Sequence, residues 1–246
     1  MRIALLGYGK MGKRIAELAE ERGHTISTII DPQQKEIDNP VSVLADCDAI
    51  IDFSHPDSMQ EHLSWALSAN KPIVIGTTGW EIDEKLDETA KAHNTPILYG
   101  SNFSLGVQLF MKLTQKAAEL FGSSDLFHAA MHEIHHTQKV DAPSGTAKTM
   151  SSLWRKESTK QKNESFVLPE SQPADENTLY VTAQRLGSVF GEHTLRINSP
   201  FDDIELTHRA RSRDGFASGA VKAAEWLAQQ KPGFYLVENV VEKILK

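Results

Sequence analysis

At 246 residues the chain has room for one large domain or two small ones, at roughly 150 residues per domain, and enough of it to bury a real core. Apolar residues make up 40% and charged residues 24%, as in ordinary globular proteins. The 33 Asp and Glu against 26 Lys and Arg leave a net charge of −7, which argues against general binding to a phosphate backbone because that needs a basic footprint.

The one cysteine, Cys47, cannot form an intrachain disulfide, which fits a reducing compartment. No apolar run approaches the roughly 18 residues of a membrane helix. The apolar start of the chain is too short for a signal peptide. A cytoplasmic protein is expected, with no nucleic-acid or membrane partner.

In chain order, residues 3–6 form a compact apolar run ended by Gly7, the pattern of a buried strand. Residues 10–22 carry apolar side chains at 11, 15, 18 and 19, a helical spacing closed by Gly23. Strands follow at 25–30 and 49–53, a helix from Pro56 to Ala69, a strand at 72–75, a helix at 81–93 and a strand at 96–99. Strands alternating with helices imply right-handed crossovers and a mostly parallel sheet. After Asn102 the pattern changes. Residues 105–121 predict a long helix, and 126–135 fit strand and helix equally. A helix runs from Pro143 to about Lys156, and the polar stretch 159–177 is expected as an exposed loop. Residues 179–186, 192–199 and 204–211 look like strands between turn residues, an antiparallel signature. The tail is helical at 218–229 and 237–245, and its apolar face (Val221, Ala224, Trp226, Leu227, Val237, Val240, Val241, Ile244) fits the uncovered side of the N-terminal sheet.

Gly7-Tyr8-Gly9-Lys10-Met11-Gly12 fits G-x-G-x-x-G between a predicted strand and a predicted helix, the setting this dinucleotide-binding fingerprint requires. Gly7 permits the tight turn, Gly9 a close approach to a pyrophosphate, and Gly12 the packing of helix on strand; the helix N-terminus offers free N–H groups to the phosphates. Asp31 ends the second strand, where a carboxylate accepts hydrogen bonds from the adenosine ribose. A 2′-phosphate there would meet a like charge, and Pro32 follows in place of an arginine. NADH is therefore expected to be preferred over NADPH, with Lys35 able to soften the preference. Gly76-Thr77-Thr78-Gly79 closes another strand; Thr77 and Thr78 could contact the ribose or nicotinamide, or form a plain polar turn.

His132-Glu133-Ile134-His135-His136 matches H-E-x-x-H, which on a helix would put His132 and His136 on a zinc ion with Glu133 as base. The segment has no helix start or stop signal, so no metal is expected. Read instead as a stretch ending in a new helix, it gathers His135, His136, Lys139 and the N–H groups of Gly145 and Thr146. That combination suits a dianionic substrate and a proton donor near neutral pH, although a surface loop leading to a capped helix would look similar. Cys47, between Asp46 and Asp48, is expected to be structural, because its acidic neighbours disfavour a thiolate. Trp65, Trp154 and Trp226 are expected in the core or an interface, with Trp80 there or bordering the cofactor. His208, Arg209, Arg211 and Arg213 form a basic strand end, either solvated or near a phosphate or partner.

Taken in order, the glycine loop, Gly76–Gly79, Ser101-Asn102-Phe103-Ser104-Leu105-Gly106-Val107, the block from His135-His136 through Lys139-Val140-Asp141-Ala142-Pro143-Ser144-Gly145-Thr146-Ala147, and His208-Arg209-Ala210 with Phe216-Ala217 resemble the 4-hydroxy-tetrahydrodipicolinate reductase (dihydrodipicolinate reductase) family over nearly the whole chain. The resemblance implies an α/β protein, with a Rossmann-type dinucleotide-binding domain at 1–104 and 216–246. Inserted in it, at 105–215, would be an α+β substrate and tetramerisation domain on a mixed or antiparallel sheet. It implies NADH- or NADPH-dependent reduction of 4-hydroxy-tetrahydrodipicolinate, a small dicarboxylate, in diaminopimelate and lysine biosynthesis, by a homotetramer. By motif position His135 would be the proton donor, Lys139 a second donor and carboxylate partner, and His136, Gly145 and Thr146 substrate contacts. Gly7, Tyr8, Gly9, Lys10, Met11, Gly12 and Asp31 would hold adenosine and pyrophosphate. Gly76, Thr77, Thr78, Gly100, Ser101, Asn102 and Phe103 would lie on the ribose and nicotinamide side. A nicotinamide-binding sensor without turnover would keep the glycine loop but would not need His135, His136 and Lys139 together.

Overall fold

The computed structural model describes residues 1–33 and 37–246; Lys35 lies outside them. The chain divides into two compact units, Met1–Gln108 with Arg213–Lys246, and Leu109–Ser212.

The elements are, in order, β1 (Arg2–Leu6), α1 (Lys10–Glu21), β2 (Thr25–Ile30), α2 (Pro40–Leu44), β3 (Ala49–Asp52), α3 (Met59–Ala69), β4 (Ile73–Ile75), α4 (Leu86–Ala92), β5 (Pro96–Tyr99) and α5 (Leu105–Phe121). Then come β6 (His128–His135), α6 (Gly145–Glu157), β7 (Asn163–Ser165), β8 (Thr178–Arg185), β9 (Glu192–Asn198), β10 (Asp203–Arg209), α7 (Asp214–Leu227), β11 (Gly233–Leu236) and α8 (Val237–Ile244).

In the first unit six parallel strands run in the order β11-β5-β4-β3-β1-β2. Successive strand residues point to opposite faces, and the apolar runs divide accordingly. Ile3, Leu5, Ile51, Val74 and Leu98 face one core with residues of α1, α7 and α8. Ala4, Leu6, Ile50, Ile73, Ile75 and Ile97 face the other with Leu44 of α2, residues of α3, and Leu86 and Ala90 of α4. Each fully buried isoleucine stabilises this sandwich by about 2 kcal/mol. The C-terminal helices thus cover one face of the N-terminal sheet, and the G-x-G-x-x-G loop lies at its carboxyl edge.

In the second unit five strands run in the order β10-β9-β6-β8-β7. β6 pairs antiparallel with β9, and β9 with β10. β8 departs from the expected antiparallel run: it lies on the other side of β6 and parallel to it, so the sheet is mixed. The segment that fitted strand and helix equally is a strand, because Ala129 and Met131 alternate inward onto Phe110, Ala117 and Trp154. That alternation puts Glu133 and His135 on the same inward face at the end of β6.

Other elements differ locally from the sequence reading. The helix expected over 81–93 shrinks to α4, since the Asp83 carboxylate accepts the Lys85 N–H (2.8 Å) and turns the chain there. α2 goes unnoticed in the hydrophobic pattern, although Asn39 caps it by accepting the Ser42 N–H. β7 interrupts the expected loop, and β11 adds a sixth parallel strand.

Candidate active site

Residues of the first unit line a cavity of about 670 Å³, among them Gly7, Gly9, Asp31, Pro32, His62 and Trp65. Gly7 has φ +87°, and a Cβ there would come within 2.4 Å of the Phe53 carbonyl, so only glycine fits. A Cβ on Gly12 would stand 2.3 Å from the Gly7 carbonyl, whereas Gly9 has nothing within 4 Å. Gly9 is also the N-cap of α1 and makes no side-chain cap. The loop is therefore packed tightly on its inner side and open on its outer side, beside the free N–H groups of a twelve-residue helix, the shape a pyrophosphate needs. Lys10 is exposed and Met11 packs against the sheet core. Asp31 directly follows β2, and its carboxylate accepts the N–H of Tyr8 at 2.6 Å and of Gln33 at 2.9 Å. Asp38 and Glu61 also line the cavity, and no Lys or Arg does among the described residues. These residues fit a dinucleotide.

The sequence did not single out the ring and carboxylate below this cleft. Asp52, fully buried at the end of β3, takes hydrogen bonds from Thr77 Oγ1 (2.6 Å) and from Ser54 through N–H and hydroxyl, and it pairs with His62 Nδ1 at 2.7 Å. Thr77 also accepts the Ser54 N–H, so its hydroxyl proton is committed inside the fold, while Thr78 is exposed. Trp65 is not simply core: it lies against His62, ring centroids 4.9 Å apart, on the cavity wall. Trp80 donates to the Thr77 carbonyl and meets Tyr99 edge-on.

A Cβ on Gly76 would strike the Phe53 ring at 2.2 Å, and one on Gly100 would meet Val237 at 2.5 Å. Phe103 is buried in the core, its ring 5.8 Å from that of Phe53. Asn102 accepts the Ser104 N–H and, through its carbonyl, the Gln108 amide. Ser101 is exposed. Among residues 100–103, then, Gly100 and Phe103 shape the β5–α5 turn, and Ser101 presents the free side chain.

In the second unit the end of β6 meets the start of α6. Ser144 caps α6, its hydroxyl accepting the Ala147 N–H at 3.1 Å, and Gly145 follows with nothing within 4 Å of a Cβ. The N–H groups of Gly145 and Thr146 thus stand at a helix N-terminus suited to a carboxylate. His135 is 8% exposed. Its Nδ1 lies 3.5 Å from Glu133, and its Nε2 edge borders Gly191, where a Cβ would approach to 3.1 Å. Lys139 pairs with Asp141 at 2.6 Å, and His136 is half-buried. All five sequence-predicted substrate and catalytic residues lie between the end of β6 and the first turn of α6.

Glu133, His193, Arg185 and Ser144 complete the cluster and were missed as a group. Glu133 is completely buried. Both its oxygens take the Ser144 N–H at 3.1 Å, Arg185 lies at 3.4 Å and His193 Nε2 at 3.6 Å. Arg185 also donates to the carbonyls of Lys139 and Asp141, tying down the loop that carries Lys139. Burial alone would raise the Glu133 carboxyl; His193, the Ser144 N–H and His135 outweigh it and hold it at about 2. Burial, with His193, Lys139 and Arg185 nearby, pushes His135 down to about 4 against the pull of Glu133. The resting site is thus an ionised carboxylate and a neutral His135 beside two cations. On this strand the H-E-x-x-H spacing builds no zinc helix, and His132 turns instead to Thr182, Nδ1 to Oγ1 at 2.8 Å. The signal for Glu133 was present in the strand alternation with His135; His193 and Arg185 arrive from distant strands and carry no local signal. Of the basic strand end, Arg209 is held by Glu192 at 2.7 Å.

Family models described as the N-terminus and the C-terminus of dihydrodipicolinate reductase match residues 1–103 and 106–241. A 4-hydroxy-tetrahydrodipicolinate reductase of Christiangramia forsetii is 39% identical over 247 residues, covering 100% of each chain. One of Akkermansia muciniphila is 38% identical, covering 95% of this chain and 94% of its own. Among solved structures, a dipicolinate-bound dihydrodipicolinate reductase from Paenisporosarcina sp. TG-14 shares the fold, with a TM-score of 0.80 over 98% of this chain and 99% of that one at 23% identity.

Proposed function

Because the chain belongs to the dihydrodipicolinate reductase family, we propose that His135 is its proton donor, that Lys139, His136, Gly145 and Thr146 hold the substrate's carboxylates, and that NADH is its preferred reductant. The protein is an oxidoreductase. It carries out the reduction of 4-hydroxy-tetrahydrodipicolinate to tetrahydrodipicolinate, with loss of water, in the diaminopimelate route to lysine. The observation that carries the residue assignment is a buried imidazole set between a carboxylate, two cations and an open helix N-terminus.

The residues of the first unit that would hold the dinucleotide are the glycine loop, Asp31 and the cavity wall; when bound, it supplies a hydride. Loss of the 4-hydroxyl as water, with a proton from the adjacent ring carbon, would leave a C=C conjugated to the ring imine; its far carbon could then accept that hydride, and the electron pair would settle on the neighbouring carbon. His135 gives its Nε2 proton to that neighbour, breaking N–H as C–H forms. A neutral resting imidazole must first be protonated, and a bound dicarboxylate, by offsetting Lys139 and Arg185, favours this. Lys139 and the α6 N-terminus fix the carboxylates and so the reacting carbon.

The absence of Lys and Arg from the described cavity wall, with Asp31, Asp38 and Glu61 on it, supports NADH over NADPH. A homotetramer in the cytoplasm belongs to the same reading; analytical ultracentrifugation tests the assembly. The activity itself is tested by condensing pyruvate with aspartate semialdehyde in a coupled assay and following loss of the reduced nicotinamide. Oxidation well above background is expected, and none would favour a sensor without turnover.

A further inference from the structure

The geometry points to Glu133 as the positioning residue of the reaction: one buried carboxylate that fixes the tautomer of His135, favours its protonation, and anchors the groups that bind the substrate. This rests on the reading of His135 as proton donor.

A carboxylate offers about four lone-pair positions, and four elements supply the neighbours of Glu133. From α6 comes the Ser144 N–H, bonded to both oxygens at 3.1 Å. From β8 comes Arg185 at 3.4 Å. From β9 comes His193, whose Nε2 is 3.6 Å from the carboxylate and 3.2 Å from Ser144 Oγ. From its own strand comes His135, with Nδ1 at 3.5 Å. Lys139 faces the same cluster from the loop after β6, paired with Asp141, and His208 on β10 faces His193.

Glu133 is fully buried, so it makes no contact with solvent and acts through its neighbours. A carboxylate on the Nδ1 side of an imidazole favours the Nδ1–H tautomer and stabilises the cation once it forms. Nε2, the edge left free by the missing side chain of Gly191, is then the atom that delivers the proton. A separation of 3.5 Å is long for a hydrogen bond, and catalytic hydrogen bonds of this kind tighten when the substrate is bound. The same carboxylate holds Ser144, the N-cap of the helix that presents Gly145 and Thr146. Through Arg185 it reaches the carbonyls of Lys139 and Asp141. Its negative charge also offsets Lys139 and Arg185, which would otherwise oppose any charge on His135.

Glu133→Gln separates charge from shape, because the amide oxygen still accepts the Ser144 N–H. The pH dependence of kcat and KM is measured for the wild type, Glu133→Gln, Glu133→Asp and His135→Gln. In Glu133→Gln, kcat near neutral pH is expected to fall about 10- to 100-fold, with substrate KM changed less than about threefold. Its basic limb is expected to move down by roughly one pH unit or more. Glu133→Asp, which keeps the charge, is expected to keep the wild-type limb. An unchanged limb in Glu133→Gln beside an inactive His135→Gln overturns the role of Glu133 alone. Full kcat in His135→Gln overturns the reading of His135 and this proposal with it. Should Glu133→Gln fail to fold, nitrogen-15 NMR of the histidine rings in the wild type decides: Nδ1–H on neutral His135 supports the proposal, and a bare Nδ1 overturns it.

Discussion

The backbone N–H of Tyr8 donates to the carboxylate of Asp31 at 2.6 Å. The residue that follows β2 thus holds the glycine loop that follows β1, and the acidic group proposed to bind the ribose also fixes the shape of that loop. Sequence spacing suggested the first role; the second appears only when the two strands lie side by side in register.

Cofactor choice follows from that arrangement. The wild type is expected to show at least a tenfold higher kcat/KM with NADH than with NADPH, since a 2′-phosphate would stand among Asp31, Asp38 and Glu61. Asp31→Ala is expected to lower kcat/KM for NADH by about 10- to 100-fold, the worth of a hydrogen bond to a charged group, and to bring the ratio towards one. Steady-state kinetics with both cofactors checks it.

His135→Gln is expected to reduce kcat by about 10²- to 10⁴-fold, the usual range for a lost general acid, and to change substrate KM much less. Lys139→Ala is expected to harm both constants if that ammonium, as proposed, positions the substrate. In the wild type the basic limb of kcat is expected at higher pH than that of kcat/KM. The bound dicarboxylate raises a histidine that burial and its cationic neighbours hold at about 4 in the free enzyme.

Gly191→Ala would bring a methyl group to within 3.1 Å of His135 Nε2. The expected result is a fall in kcat beyond any loss in melting temperature, read by kinetics and thermal denaturation on the same preparation.

Acid stability is set by the same cluster. His135 titrates near its ordinary 6.5 in the unfolded chain but at about 4 in the folded one, so between those values the unfolded state binds more protons. Its contribution, on the order of 3 kcal/mol, is present above pH 6.5 and lost as pH falls through 4. Glu133, ordinarily near 4.5 and held at about 2, acts in the same direction over the next window down. Melting temperature is expected to drop steadily from pH 7 to 4, and His135→Gln is expected to flatten the upper part of that curve.

Cys47 is fully buried, and burial pushes its thiol up to about 11. It is expected to resist a thiol reagent in the native protein and to react at once in denaturant.

The glycine loop, the alternation of strands and helices in the first hundred residues, Asp31, and the block from His135 to Thr146 were all legible from the sequence, because each rests on local spacing. Periodicity depends on which face is buried, and glycine positions on backbone conformation, both of which are written in neighbouring residues. What lay beyond reach depended on partners far along the chain. Residues 126–135 could not be told from a helix until Ala129 and Met131 had α5 and α6 to pack against. β8 carried the signature of an antiparallel strand, yet it pairs in parallel with β6 and with β7, a choice made by the register of the whole sheet. Thr77 read as either a cofactor contact or a polar turn, and the bond from its hydroxyl to buried Asp52, 25 residues away, carried no local signal. Glu133 is surrounded by Arg185 and His193, 52 and 60 residues away. A buried charge needs partners from several directions at once, and only a folded chain can bring them together.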